Sequence, residues 1–214
     1  MPLTKLLGKT EFWGRPFHVN EHTLDPRPDS ETVVEIALSH FKGRTQPKMI
    51  LDLGIGTGCL LLTLLMEFPG AIGIGVDKSF DAISVARDNA KALGVESRAY
   101  FMQGNWQTAM NGKFDLIVSN PPYIRSDVIP TLDKNVQNYD PMLALDGGKD
   151  GLQAYCDIFA TLHEYVHKDT ISLFEIGFDQ QEDIERLSEK YGFLLRCVHH
   201  DLAGKPRVVD IFWA

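Results

Sequence analysis

The 214-residue chain predicts an α/β fold on a mostly parallel sheet of seven strands. Three observations carry this. From residue 48 onward, short apolar runs alternate with helical patterns, the arrangement of βαβ units with right-handed crossovers. The last two apolar runs have no helix between them, so they form an antiparallel hairpin at one side of the sheet. The length and the 44% apolar content suit one large domain with its own core.

The elements follow in order. Lys48 to Leu53 is a buried strand ended by Gly54. Cys59 to Phe68 is an apolar helix stopped by Pro69-Gly70. Ile72 to Val76 is the second strand and ends at Asp77; Ser79 then caps a helix running to Leu93, with Gly94 as its stop. Ala99 to Gln103 and Phe114 to Ser119 are strands, the second halted by Pro121-Pro122. Leu152 to Val166 reads as a helix, Ile171 to Ile176 as a strand and Gln180 to Lys190 as a polar-faced helix. Leu194 to His199 and Val208 to Trp213 close the sheet around a loop with Gly204 and Pro206. Residues 1–30 fall outside this alternation and form an N-terminal extension packed on a catalytic domain of residues 31–214. Residues 124–150 are a long irregular stretch, a kind of segment that is usually functional or mobile.

The formal charge of −8 argues against a broad phosphate-gripping face. The three cysteines, Cys59, Cys156 and Cys197, form no CxxC pair, which fits reduced thiols in a cytosol rather than a disulfide framework. Met1 to Thr10 lacks the apolar segment of a signal peptide, and Cys59 to Met66 is too short to span a bilayer. These features point to a cytoplasmic protein with no membrane partner.

Between the first strand and first helix lies Asp52-Leu53-Gly54-Ile55-Gly56-Thr57-Gly58. Its glycines permit positive φ and let a ligand approach the backbone. A dinucleotide fingerprint would place its third glycine at position 59, which is Cys59. The GxGxG spacing suits an adenosine with a small amino-acid arm better than a pyrophosphate; the competing reading is a tight strand–helix turn. Asp77 ends the next strand, where an acid can take two ribose hydroxyls or simply cap a helix. Asn105 and Trp106 follow the third strand and offer an amide and an indole to an adenine, against a core-packing role for Trp106.

Asn120-Pro121-Pro122-Tyr123, after the fourth strand, is the most specific feature. An amide nitrogen is a poor nucleophile because its lone pair is delocalised into the carbonyl. Acceptors aimed at its N–H bonds can hold it and turn that lone pair toward a methyl donor. The Asn120 side-chain oxygen and the Pro121 carbonyl can supply them, on a loop stiffened by Pro121 and Pro122. Tyr123 offers a flat face to a planar group. Catalysis is then positioning and electrostatics around an in-line transfer. The bland alternative is a proline-rich loop that ends a strand.

With these motifs the chain resembles the bacterial release factor glutamine methyltransferases, over segments from about Glu11 to the end. These include Glu11 to Phe17, Pro26 to Glu31, the glycine loop, Asn120 to Tyr123, Asp140-Pro141 leading to Gly148, Asp150 to Leu152, Glu175 to Gly177 and Asp201 to Gly204. The resemblance implies the Rossmann-like fold of class I S-adenosylmethionine-dependent methyltransferases. It implies methylation of the glutamine in the Gly-Gly-Gln motif of peptide chain release factors, with S-adenosylhomocysteine as the second product and no metal. Gly54, Ile55, Gly56, Thr57, Gly58, Asp77, Asn105, Trp106 and Asn120 would hold the cofactor. Asn120, Pro121, Pro122 and Tyr123 would hold the glutamine amide, with Arg27 either a substrate contact or a structural clamp.

Three departures from the family pattern stand out. The small helical domain that usually precedes the catalytic part, and helps grip the release factor, is not in this sequence, which leads us to expect weaker affinity. Asn105 stands where an aspartate is usual, and Phe80 where proline is. The rival function is methylation of an exocyclic amine on a nucleic-acid base, since the same motif serves a flipped base; the acidic charge and the lack of a basic domain weigh against it. A non-catalytic cofactor-binding partner of translation factors is a third reading. His163-Glu164-Tyr165-Val166-His167 matches HExxH, but at the end of the expected helix it reads as solvated histidines rather than a zinc site.

Overall fold

The structure, a computed structural model, describes residues 2–106 and 112–214; Met1 and residues 107–111 lie outside the described residues. The chain opens with a short helix α1 (Leu3–Leu7) and a hairpin of β1 (Lys9–Phe12) and β2 (Arg15–His18), followed by α2 (Glu31–Phe41). The central alternation is β3 (Met49–Leu53), α3 (Cys59–Glu67), β4 (Ile72–Asp77), α4 (Phe80–Ala92), β5 (Ala99–Gln103) and β6 (Phe114–Ser119). Then come α5 (Lys134–Tyr139), α6 (Gln153–Leu162), β7 (Val166–Glu175), α7 (Gln181–Lys190), β8 (Phe193–His200) and β9 (Pro206–Trp213).

Seven strands form one sheet in the order β5-β4-β3-β6-β7-β9-β8. The first five are mutually parallel, and β9 runs antiparallel to both β7 and β8. The expected architecture and the closing hairpin are therefore present. Helices cover both faces. One core joins Val33 and Val34 of α2, Leu61 and Leu65 of α3 and Ile83 of α4; the other joins Tyr155 and Phe159 of α6 to Ile184 of α7. The side chains of β3 alternate between them, Ile50 into the first and Leu51 and Leu53 into the second, as pleating requires.

Several boundaries differ from the sequence reading. The expected helix to Val166 stops at Leu162, and β7 already begins at Val166. Tyr165 and Val166 continue an apolar pattern that helix and strand share over so short a run, and only the pairing of Phe114 with Val166 decides for the sheet. The extension contains a real hairpin, turned by Trp13 and Gly14, both at positive φ (54° and 67°). That is the geometry of a two-residue primed turn, and a tryptophan at its first position hides the usual turn signal. Phe12 and Phe17 anchor the hairpin in the first core. Within 124–150 there is one helix, α5, flanked by two single 3-10 turns.

Strand β4 carries Gly73 and Gly75 because α3 and the loop before it press on the sheet there. A Cβ at Gly75 would stand 1.9 Å from Ile55 Cδ1, and one at Gly73 2.6 Å from Leu61 Cδ1. Among the described residues beyond its chain neighbours, nothing lies within 4 Å of the Cβ that Gly70 would gain. Gly75→Ala is expected to lower unfolding stability by roughly 1–3 kcal/mol through overpacking. Urea unfolding of Gly75→Ala beside Gly70→Ala measures it; equal stabilities would contradict the close packing.

Candidate active site

The strand order reverses between β3 and β6: the chain runs outward from β3 to β5, then returns to place β6 on the other side of β3. A crevice opens at the carboxyl ends of strands at such a reversal. The loops leaving β3 and β6 are the glycine loop and Asn120 to Tyr123.

The glycine loop is pinned to β4. The N–H groups of Gly54 and Ile55 both donate to the Val76 carbonyl, at 2.9 and 3.0 Å. Gly54, Gly56 and Gly58 have φ of 79°, 52° and 82°, which admit the tight turn into α3. Asp77 is held from two sides: Gly56 N–H donates to its Oδ2 at 2.9 Å and Ser79 N–H to its Oδ1 at 2.8 Å. Each oxygen keeps a further lone pair for a ligand hydroxyl. Burial pushes the Asp77 carboxyl above its usual range, against the pull of those N–H groups. The cap role weighed for Ser79 is also present, its hydroxyl accepting from Ala82 N–H at 3.2 Å. Trp106 has a left-handed φ of 55°, and its ring passes 3.4 Å from where a Gly54 Cβ would stand. A β-carbon at Gly54 would touch the indole at ordinary contact distance, and the positive φ of 79° is what strains a substitution there.

One cavity of about 500 Å³ gathers most of the predicted residues: Arg27, Gly54, Ile55, Gly56, Thr57, Asp77, Asn105, Trp106, Asn120 and Pro122 all line it. That volume suits a nucleoside-sized ligand. Gly58, Pro121 and Tyr123 lie outside its wall. Gly58 caps α3, and its added Cβ would meet Leu62 and Ala86. Tyr123 stands behind Asn120, with its hydroxyl donating to Glu175 Oε1 at 3.2 Å. Burial, with the Glu175 carboxylate beside it, pushes the Tyr123 phenol well above its usual range.

Residues 23–27 and 141–148 complete the wall. An ionic clasp ties them: Arg27 Nη2 lies 2.7 Å from Asp140 Oδ2, and the buried Lys5 ammonium lies 2.8 Å from Asp25 and 3.8 Å from Asp140. Burial raises the Asp140 carboxyl, while Arg27 and Lys5 draw it back. Arg27 both pairs with Asp140 and lines the cavity, so both roles weighed for it remain compatible with its position.

Sequence reading missed three residues. Asp52 is 1% exposed and lines the cavity; its Oδ2 accepts from Leu61 N–H at 3.2 Å, and its Oδ1 meets no hydrogen-bonding partner among the described residues. Burial pushes its carboxyl up to about 8, opposed by the Leu61 N–H and reinforced by the nearby Asp77 charge. Ser30 and Glu175 form a buried pair, Ser30 Oγ donating to Glu175 Oε2 at 2.5 Å, and Asn120 Nδ2 donates to Ser30 Oγ at 3.1 Å. An acid opening the glycine motif was a visible signal for Asp52; Ser30 and Glu175 fall in the family-like segments Pro26 to Glu31 and Glu175 to Gly177, but 145 residues apart they carry no local sign that they pair. The HExxH pattern does not lie on one helix. His163 follows α6 and stacks on Trp213, while His167 sits in β7 with its Nε2 3.2 Å from Asp115.

Residues 29–136 match the methyltransferase small domain. A release factor glutamine methyltransferase from Bradyrhizobium diazoefficiens is 45% identical over 212 residues, 98% of this chain and 71% of that protein. The chain belongs to the release factor glutamine methyltransferase family. Its counterpart from Agrobacterium fabrum is 43% identical, over 97% of this chain and 73% of that one. Among solved structures, a ribosomal protein L11 methylase from Lactobacillus delbrueckii subsp. bulgaricus superposes with a TM-score of 0.64 at 18% identity, covering 88% of this chain and 81% of its own. That likeness bears on the fold alone. No helix among the described residues of this methyltransferase is long and apolar enough to cross a membrane.

The folded-state value of Asp52 lies above the ordinary 3.8, so the folded protein holds this proton more tightly than the unfolded chain. The resulting stabilisation is full below 3.8 and is lost as pH rises through about 8. Glu175, raised to about 7, acts in the same direction over a narrower window. Urea unfolding of the ligand-free enzyme should therefore show stability falling across this range. Asp52→Asn should flatten the fall, and an unchanged slope in that variant would contradict the assignment.

Proposed function

We propose that this enzyme transfers a methyl group from S-adenosylmethionine to the side-chain amide nitrogen of the glutamine in the Gly-Gly-Gln motif of peptide chain release factors, in the cytoplasm. The observation that carries the reading is the meeting of the glycine loop and Asn120 in one cavity at the β3/β6 reversal. The cavity chemistry fits the cofactor. Asp52 presents a buried carboxyl oxygen without a partner among the described residues, and a ligand ammonium would both satisfy it and favour its ionised form. The Gly54 to Gly58 loop admits the amino-acid arm, Asp77 accepts from ribose hydroxyls, and Asn105 and Trp106 face the adenine. When bound, S-adenosylmethionine supplies an electrophilic methyl on a sulfonium, a chemistry that calls for no metal.

The chain's own part is to hold the acceptor. Asn120 Oδ1 takes one N–H of the glutamine carboxamide and the Pro121 carbonyl the other, so that the nitrogen lone pair leaves conjugation and turns toward the methyl. Pro122 and Tyr123 keep the loop rigid, with Tyr123 bracing it through Glu175 as well as offering its ring to the planar group. Arg27 supports the wall through Asp140. Residues 1–30 serve as an extension of the catalytic domain 31–214, with residues 23–27 forming part of the cavity wall. Relatives named for release factor glutamine methylation support this acceptor over a nucleic-acid base.

Labelled S-adenosylmethionine offered in parallel to a release factor and to RNA tests the acceptor. One methyl on the glutamine of Gly-Gly-Gln is expected; label in RNA alone would overturn the reading. Asn120→Ala should lower single-turnover rate by roughly 10²–10³, with cofactor affinity falling much less. A variant as fast as the parent would exclude the amide-holding role.

A further inference from the structure

We infer that Glu175 and Ser30 are positioning residues: a buried relay from Asn120 through the Ser30 hydroxyl to the Glu175 carboxylate dictates which end of the Asn120 amide faces the substrate. The inference rests on the proposed role of Asn120 Oδ1 as the acceptor for a substrate N–H.

The two ends of an asparagine amide have nearly the same shape, so packing alone does not orient it; its hydrogen-bond partners must. Ser30 Oγ carries a single proton. Glu175 Oε2, 2.5 Å away and acceptor-only when ionised, takes it. Toward Asn120, at 3.1 Å, the hydroxyl can then only accept, so it must meet the amide NH₂. Oδ1 is left as the end presented to the cavity that Asn120 lines. Were Glu175 protonated, it could donate to Ser30 instead. The Ser30 proton would be free to point at Asn120, and the flipped amide would set its NH₂ against the substrate N–H, donor against donor.

The surroundings make the ionised relay a poised state. Glu175 is 1% exposed at the end of β7, and burial pushes its carboxyl up to about 7. The Ser30 and Tyr123 hydroxyls and the Arg207 guanidinium of β9 pull it down, while Asp29 pushes it up. Arg207 itself is shared with Asp201 at 3.0 Å and Asp29 at 3.6 Å. Cys59, its thiol pushed up to about 12, and Tyr155, whose phenol is raised and donates to the Glu175 backbone carbonyl at 2.6 Å, stay neutral beside it. Ser30 precedes α2 yet makes no side-chain cap bond there, so its hydroxyl is free for the relay.

The test compares the parent with Glu175→Gln, Ser30→Ala and Ser30→Thr. It reads the pH profile of single-turnover methylation at saturating cofactor, S-adenosylhomocysteine affinity by calorimetry, and the Asn120 side-chain amide signals by ¹⁵N NMR without substrate. The parent rate should fall on the acid side with a midpoint near the Glu175 value of about 7. Glu175→Gln and Ser30→Ala should be slower by roughly tenfold to a hundredfold, lose the acid limb and keep S-adenosylhomocysteine affinity. Ser30→Thr, which retains the hydroxyl, should recover both rate and limb. Parent-like rate and limb in the first two variants, or affinity lost in step with rate, would overturn the relay. If the parent methylates no release factor, the functional reading fails, and NMR still decides the relay. Asn120 signals that titrate in the parent but in neither Ser30→Ala nor Glu175→Gln support it; signals that titrate alike in all three overturn it.

Discussion

Where a parallel sheet reverses its strand order, the loops leaving the two adjoining strands turn to opposite faces and cannot fill the space between them. That constraint at β3 and β6 shapes the rest of this molecule. The loop after β3 turns into α3 on one face; the segment after β6 leads on to α6 on the other. Backbone groups at both strand ends are left to be satisfied from within the crevice or by a ligand. Val76 takes two N–H groups of the glycine loop, and Ser119 Oγ closes on the Leu53 carbonyl at 2.6 Å, so the two strand ends form one rigid frame.

Into that frame the chain places carboxyl groups that water would otherwise solvate. Asp52, Asp77 and Glu175 stand at the carboxyl ends of β3, β4 and β7, and burial raises all three. Unsatisfied buried carboxylates are destabilising, so their presence calls for partners. Among the described residues, Asp77 has two backbone N–H groups, Glu175 two hydroxyls, and Asp52 a single N–H with one oxygen unpartnered. In the proposed reading the cationic cofactor completes Asp52, and Glu175 acts one step back by orienting Asn120.

The sheet was legible because its elements are short apolar runs separated by Gly and Pro, signals local to each segment. The glycine loop and Asn120 to Tyr123 were legible for the same reason. What was not legible depends on distance. Nothing local to Ser30 or Glu175 announces that they pair, until β7 brings them together with Asn120. The start of β7 at Val166 is decided by its partner strand, not by its own pattern. Tyr123 offers a flat face to a planar group in the sequence, and the structure adds that its hydroxyl is engaged with Glu175, which ties it to the relay as well as to the loop.

In the proposed function a single crevice presents a cofactor methyl and a substrate amide to Asn120. A crystal structure with S-adenosylhomocysteine and a glutamine-containing Gly-Gly-Gln peptide tests it most directly. The amino-acid arm is expected against Asp52 and the glycine loop, the adenine against Trp106, and the glutamine carboxamide N–H on Asn120 Oδ1 facing the sulfur. Cofactor bound away from the glycine loop, or a glutamine side chain that meets the NH₂ end of Asn120, would contradict it.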